Sequence, residues 1–351
     1  MKIAFLGDIS LNDDYIELYQ KGINPFEEIG AYLKSFDYVI GNLECMAEGN
    51  EGENDLKVPR LRTTIETLNY LTDIGVNAVS LAHNHVYDHL RDGFDKTTAF
   101  LDKHQIAYWG ASTHEKDVGT PLVIETNGVS VCVLTYVSKD TNPKLPVDAK
   151  VFPNWLEEDK VIKDIQNYKQ KHTHVFLFLH WGGRLEGGCY PDWEQPKMAR
   201  RFIDAGADLI VGNHSHTIQP YEKYKGKYIF YSLGNFCFSN LTFENEFTPI
   251  SKRGTISFIV GIQFFKQNYM FESKYYKNKL VCFKNTPLYT YKHRVRNRFF
   301  QFMRKCKPIW YVYFFYYSYI LPVLLFYQRK DIGFSQKNIR FFKYIQTKLL
   351  K

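Results

Sequence analysis

An α/β domain built on a mostly parallel sheet is predicted by three features of the sequence. Short, wholly apolar runs alternate with amphipathic segments of helical period, the pattern of strands buried on both faces between helices. Several of these runs stop abruptly at a glycine turn or a polar residue and deliver Asp, Glu, Asn or His just beyond. A hairpin signal, Asn127-Gly128 between two strand-like stretches, interrupts the alternation midway and adds an antiparallel piece that a simple doubly wound fold lacks.

Residues 3–6 read as a buried strand whose exit is Gly7-Asp8. Asn24, with Pro25 at the first helical position, opens a helix that runs to 33. Strand 38–40 leads into Gly41-Asn42-Leu43-Glu44, and the polar, acidic stretch 49–57 reads as a loop or lid. A helix over 64–74 stops at Gly75, where glycine supplies the left-handed cap. Strand 77–81 then runs out into Ala82-His83-Asn84-His85, with Asp88 close behind. A helix over 94–104 and a short strand at 107–110 precede the hairpin strands 122–126 and 129–137, a loop over 140–153 and a helix over 155–171. The most strand-like run of the chain, 175–179, ends in His180-Trp181-Gly182-Gly183. A helix over 196–206 precedes the apolar run 209–211, which stops at Gly212-Asn213-His214-Ser215-His216. Strand 227–231 enters Ser232-Leu233-Gly234-Asn235-Phe236, and 256–265 and 279–283 read as closing strands.

With 351 residues, the chain has room for one large domain, 1–270, and an appendage, 271–351. The net charge of +8 and the 17% aromatic content concentrate in that appendage. Such a tail favours an acidic partner, either anionic lipid or a polyanionic substrate. No nucleic-acid-binding motif accompanies the charge, so nucleic acid is not an expected partner. The six cysteines show no CxxC or paired spacing and read as free thiols of a reducing compartment. The apolar run after Met1-Lys2 is too short for a signal peptide, which predicts a cytoplasmic body.

The strand ends deliver Asp8, Glu44, Asn84 with His85, His180, and His214 with His216. Taken singly, each has a plainer reading: Asp8 as a helix cap, Asn84 as a turn residue, the His-x-His pair as hydrogen-bonded loop histidines. Their recurrence at successive strand ends points to metal instead, because core packing does not place ionisable groups there. Oxygen and imidazole ligands without thiolates suit a divalent ion of the Mn, Fe or Zn class and exclude a structural zinc knot. Six groups exceed the needs of one tetrahedral ion with an open position, whereas two ions about 3.5–4 Å apart use them all, as in phosphoester hydrolysis. His83, His89 and His104 have no motif partner and read as surface or packing residues. His172 and His174 precede a strand, at the opposite sheet edge, where no metal is expected.

Gly7-Asp8, Asn42-Leu43-Glu44, Asn84-His85 with Asp88, His180-Trp181-Gly182, Gln195, the stretch Asp204-Ala205-Gly206-Ala207-Asp208, Gly212-Asn213-His214-Ser215-His216 and Tyr231-Ser232-Leu233-Gly234-Asn235-Phe236 together resemble the capsule-synthesis CapA family of the calcineurin-like metallophosphoesterase superfamily. The resemblance covers roughly residues 2–239. It implies a four-layer αββα sandwich, with two sheets face to face, helices outside and a metal site at the strand carboxyl ends. It also implies roles: Asp8 on a first ion, Asn84, His180 and His214 on a second, and His216 reaching back to the first. Glu44 or Asn42 takes the bridging place, and His85, with Asp88 behind it, is the general acid. The chain departs from the pattern at Ser10, where the superfamily has histidine, and at Asn42, where it has the bridging aspartate. An acidic residue usually follows His-Trp-Gly closely; here Arg184 and Leu185 precede Glu186, and Arg184 reads as a solvated loop arginine or a contact to an anionic substrate. These departures leave the first ion short of ligands, so one ion or a weakly held pair are both open. The implied function is metal-dependent hydrolysis in capsule or surface polymer assembly, with an anionic or phosphorylated polymer or precursor as substrate and a capsule-synthesis complex as setting. The alternative is a non-catalytic component that binds polymer or lipid-linked intermediate.

Residues 309–327 carry no charge, enough to span about 30 Å as a helix. They are rich in tyrosine, and basic residues flank them on both sides, which keeps both flanks cytoplasmic. An in-plane or re-entrant segment is therefore expected, with 339–350 as a second membrane-surface helix. The alternative is a soluble helical appendage packed on the main domain.

Overall fold

The computed structural model describes residues 1–321, apart from 127, 244, 245, 266 and 267, together with residue 324. The chain forms two compact units, Met1–Arg298 and Phe299–Lys351. In the first, an eight-stranded sheet has the order Phe283–Asn285, Asn268–Asn278, Ile256–Phe265, Lys2–Ile9, Tyr38–Leu43, Ala78–Ser80 and Ala107–Trp109, with Asn235–Cys237 also paired to Lys2–Ile9. A six-stranded sheet has the order Tyr221–Tyr224, Lys227–Phe230, Leu209–Asn213, His174–His180, Val129–Val137 and Leu122–Thr126. Its four inner strands are parallel, and the expected hairpin supplies one antiparallel edge, Leu122 opposite Val133 and Thr126 opposite Val129.

Side-chain alternation shows how the sheets stack. Ile3 and Phe5 join a buried cluster with Val133, Phe176, Phe178 and Val211 of the other sheet, whereas Ala4 and Leu6 join a second cluster with Phe26, Leu71, Phe94 and Leu101 from the helices. The Phe5 ring lies 6.1 Å from Phe176 and 5.8 Å from Phe178. Helices Glu158–Lys169 and Glu194–Ala205 cover the far side of the second sheet, burying Val161, Ile165, Ala199 and Phe202. The result is the expected order helix, sheet, sheet, helix. Both central sheets are buried on both faces, which is why their strands read as nearly unbroken apolar runs.

Four local readings change. The closing strand is not 279–283: Lys279 N–H bonds the Cys282 carbonyl in a turn, with Leu280 at φ 66°, and the strands are Asn268–Asn278 and Phe283–Asn285. Asn268–Asn278 alternates exposed and partly buried side chains as an outer strand, so its sequence lacks an apolar run. Because it pairs along the whole length of Ile256–Phe265, the first unit continues past 270 to Arg298. A short helix, Asp14–Gln20, escapes the sequence reading because only Tyr15 and Leu18 are buried on it. The expected helix over 64–74 is a 3₁₀ turn, Thr67–Asn69, followed by Tyr70–Ile74; its stop at Gly75 is as expected, at φ 81°.

In the second unit, the last turns of helix Leu288–Lys305 precede helix Lys307–Phe315, and Phe300 meets Trp310 edge-on at 5.8 Å. Among the described residues no helix is long and apolar enough to cross a membrane. The expected surface helix at 339–350 lies outside the described residues.

At the opposite edge from the strand carboxyl ends, Asp208 accepts bonds from Lys169 and Lys227, both at 2.6 Å, and from the Val175 N–H at 3.0 Å. Burial raises its pKa, but these donors outweigh burial and hold it below the ordinary 3.8. Asp208→Asn is expected to lower the unfolding free energy at pH 7 by about 1.5–3 kcal/mol, read from urea denaturation. A depressed carboxyl contributes its stability above the unfolded pKa and loses it as pH falls through the folded one, so wild-type and variant stabilities should converge below about pH 4. Stabilities that stay apart in acid would exclude the ionised pair as the cause.

Candidate metal centre

All six expected ligands converge at the carboxyl ends of the two sheets. Asp8 sits at a register shift of the first strand, so close to the 234 turn that a Cβ at Gly7 would collide with the Gly234 carbonyl. Asp8 accepts the Asn42 amide at 2.8 Å and the His214 N–H at 3.1 Å. Glu44 follows the second strand, its N–H tied to the Ile9 carbonyl. His180 ends its own strand, with Nδ1 3.1 Å from the Asn42 amide and Nε2 2.8 Å from Asn84 Oδ1. The Thr141 carbonyl takes the Asn84 NH₂ at 2.9 Å, which turns the Asn84 oxygen toward His180. His214 and His216 both adopt positive φ, 87° and 56°, uncommon for residues other than glycine and frequent at functional sites.

Ligand atoms of Asp8, Glu44 and His180 lie within 4.8 Å of one another, as do those of Glu44, His214 and His216. Glu44 belongs to both groups, the position of a bridge. His216 Nδ1 stands 3.6 Å from Asp8 and 2.9 Å from Asn235 Oδ1. Ser10, where the family pattern has histidine, turns to Asn12 at 2.7 Å and brings no ligand.

The donor set fits a divalent cation. Both oxygens of Glu44 and both ring nitrogens of His214 are buried without a hydrogen-bond partner among the described residues, apart from a proton that Glu44 would share with Asp8. Buried polar atoms are normally satisfied, and a bound cation satisfies these. Burial raises the pKa of Asp8, against the opposing pull of His216 and the Asn42 amide; burial and the charges of Asp8 and Glu186 push Glu44 well up. Burial also holds His180 and His214 well below their ordinary value. Neutral imidazoles beside carboxyls that lack a counter-charge are what a metal ion converts into ligands.

His85 Nδ1 lies 2.6 Å from Asp88 Oδ2, which also accepts the Leu61 N–H at 2.7 Å. Burial pushes Asp88 up to about 8 and His85 well down, so at neutral pH the pair shares one proton and carries no net charge.

Three residues at this centre escape the sequence reading. His83, read as a surface or packing residue, is the latter: it is buried, accepts the His85 N–H and lies 6.2 Å from the His180 ring, so that it packs at the centre. Glu186 comes within 4.0 Å of His214 and 3.8 Å of His216. Its signal was the family's acidic residue after His-Trp-Gly: the 3₁₀ turn Gly183–Leu185 takes up the two extra positions and leaves Arg184 exposed. Lys57, in the stretch read as a loop or lid, is buried and donates to the Asn142 carbonyl at 2.7 Å. No local pattern marks it. His172 bonds Ser130 and His174 lies near Asp208, both at the opposite edge.

The family model for the bacterial capsule synthesis protein PGA_cap matches residues 2–240. The PGA biosynthesis protein CapA of Bacillus subtilis (strain 168) is 31% identical over 253 residues, covering 68% of this chain and 63% of that protein. The capsule biosynthesis protein CapA of Bacillus anthracis is 29% identical over 247 residues, covering 68% and 60%. The matched stretch thus spans less than two thirds of either relative. Among solved structures, a hypothetical protein from Thermus thermophilus aligns with a TM-score of 0.48 at 14% identity, over 79% of this chain and 100% of that one.

Elemental mass spectrometry on protein purified without chelators is expected to find divalent metal in wild type and to lose it in the His214→Ala, His216→Ala double variant. Two equivalents would give both ligand groups an ion, and one would trace to Ser10. Chelation is expected to lower the melting temperature, since Asp8 and Glu44 lose their counter-charge. Metal retained in the double variant would remove both histidines from the ligand set.

Proposed function

The chain belongs to the bacterial capsule synthesis protein PGA_cap family, and from the buried carboxylate–imidazole cluster at its strand ends we propose that it is a metal-dependent hydrolase of the phosphoesterase type that takes part in capsule or surface polymer biosynthesis. The observation that carries the reading is Glu44, shared by two ligand groups and buried without a donor of its own. Asp8, Glu44, Asn84, His180, His214 and His216 would hold one or two divalent ions of the Mn, Fe or Zn class. A bound ion supplies Lewis acidity to a phosphoryl oxygen and to a water nucleophile.

The chain's own residues supply the proton. With the protonated Asp88 carboxyl donating a hydrogen bond to Nδ1, the neutral His85 ring carries its single proton on Nε2. Giving that proton to a leaving oxygen draws the Asp88 proton onto Nδ1, so the ring ends neutral and the charge rests on Asp88, where the Leu61 N–H receives it. Asn42 and Asn84 hold His180 by its two nitrogens, and Asn235 holds His216, so the imidazoles are oriented before substrate arrives.

An anionic or phosphorylated polymer, or its precursor, is the partner that the charge supports. Lys252, Arg253, Lys277, Lys292 and Arg296 line a cavity of about 410 Å³ whose lining includes no acid. Its Arg253 is followed by Gly254, whose carbonyl accepts the Asn235 amide at 3.1 Å, and Asn235 Oδ1 lies 2.9 Å from His216 Nδ1. The uncharged, tyrosine-rich stretch 309–327 with its basic flanks supports attachment at the inner face of an anionic membrane, beside a capsule-synthesis complex. A second reading, a non-catalytic binder of polymer or lipid-linked intermediate, is favoured by one observation: Ser10 is turned to Asn12 and leaves the first ion a ligand short.

Hydrolysis of p-nitrophenyl phosphate by metal-loaded protein tests the reading. His85→Ala is expected to lower kcat by about 10²–10⁴-fold with metal content unchanged, and Asp88→Asn to lower it less. Activity indifferent to His85→Ala would remove His85 as the proton donor, and absence of phosphoesterase activity in a metal-loaded protein would leave the binding component as the better account.

A further inference from the structure

Lys57 is 2% exposed, and of its three ammonium donors one is used, on the Asn142 carbonyl. Among the described residues it forms no ion pair. Buried cations are ordinarily paired with an anion; burial lowers the pKa of this one against the pull of Asp88, Glu44 and Glu186, yet none of these reaches it as an ion pair, which leaves its ammonium open to an anion from outside the chain. Its place is fixed from both sides. The loop that carries it is strapped to Asp88, by the Asn54 N–H on the Asp88 carbonyl at 2.9 Å and the Leu61 N–H on the Asp88 carboxyl Oδ2. Asn142, which holds the ammonium, follows Thr141, whose carbonyl orients Asn84. Arg60 closes the loop from behind by pairing with Glu53 at 2.6 Å and bonding the carbonyls of Asn54 and Lys57. Of the acids that act on it, Asp88 bonds His85, while Glu44 and Glu186 face the histidines of the ligand cluster.

We infer that Lys57 is a binding residue for an oxyanion group of the substrate, a phosphoryl or carboxylate oxygen received at its ammonium beside His85 and the ligand cluster. The inference rests on the cluster being the reacting site, and it adds that the anionic group of the substrate is recognised by a protein cation as well as by metal. It also gives the acidic, turn-rich loop a purpose: the loop carries a cation into a centre otherwise built of carboxylates and imidazoles. A lysine that only pinned the loop to Asn142 would stabilise the fold. One that waits for an anion burdens it, as ligand-receiving charges do.

The test is calorimetric titration of the full chain, Mn²⁺-loaded and chelator-treated, with inorganic phosphate and separately with acetate, for wild type, Lys57→Met and Lys57→Arg. Metal content is read on the same samples. Wild type is expected to bind phosphate or acetate, Lys57→Met to bind about tenfold or more weakly, and Lys57→Arg to retain most of the affinity, all at equal metal content. The tighter of the two anions identifies the group recognised. The melting temperature of unliganded Lys57→Met should hold within about 4 °C of wild type or rise. Equal affinity in wild type and Lys57→Met, no binding of either anion, or a larger fall in melting temperature would each overturn the assignment. Wild type that takes up no metal overturns the metal-centre reading instead, and the chelator-treated titrations then decide the role of Lys57.

Discussion

Everything at the centre depends on how the two sheets pack against each other. Phe5 of one sheet meets Phe176 and Phe178 of the other, and Asp8, three residues beyond Phe5, then lies 4.0 Å from His180, two residues beyond Phe178. The ligands belong to different sheets, so no single strand or turn can bring them together. The aromatic and aliphatic layer between the sheets sets the separation, and close packing of that layer resists drift in it. A large-to-small change at Phe5 would act on the centre as well as on the core.

The same packing makes the centre costly. Two carboxyl groups stand with little solvent, two histidines hold left-handed backbone, and Glu44 has no donor except the proton it would share with Asp8. Each feature destabilises an empty fold, and together they concentrate where a cation would relieve them. Elsewhere the chain satisfies its buried charges within itself: Asp208 is ringed by two lysines and an N–H, and Glu222 takes Arg200 and the Tyr231 hydroxyl. The contrast separates charges that hold the fold from charges that serve a ligand.

Polarity around the centre is graded. The amides of Asn42, Asn84 and Asn235 orient imidazoles without adding charge, while Glu186, 56% exposed, marks the solvent side. The Asp88–His85 pair lies beyond Asn84, held as a neutral unit by burial. Cations stand around the centre as well: Lys57, with Arg60 behind it, on the loop tied to Asp88, and the arginines and lysines of the cavity near Gly254.

The sequence by itself determined the buried sheets and the polar residues at their carboxyl ends. Apolar runs that need burial on both faces require a sheet covered on both sides, and each of Asp8, Glu44, Asn84, His180, His214 and His216 stands within a few residues of such a run, so each was legible from its own neighbourhood. Where burial is one-sided the signal weakened: Asn268–Asn278 alternates and was missed, and the strand expected at 279–283 proved to be a turn. Only the tertiary structure decided the rest. Lys57 reaches the centre through its own bond to Asn142, 85 positions away, and through the bonds of its loop neighbours Asn54 and Leu61 to Asp88, and Glu186 reaches it because it follows the 3₁₀ turn Gly183–Leu185. Periodicity encodes which side of an element is buried; it does not encode which distant loop lies against that side, because that is fixed by packing between elements.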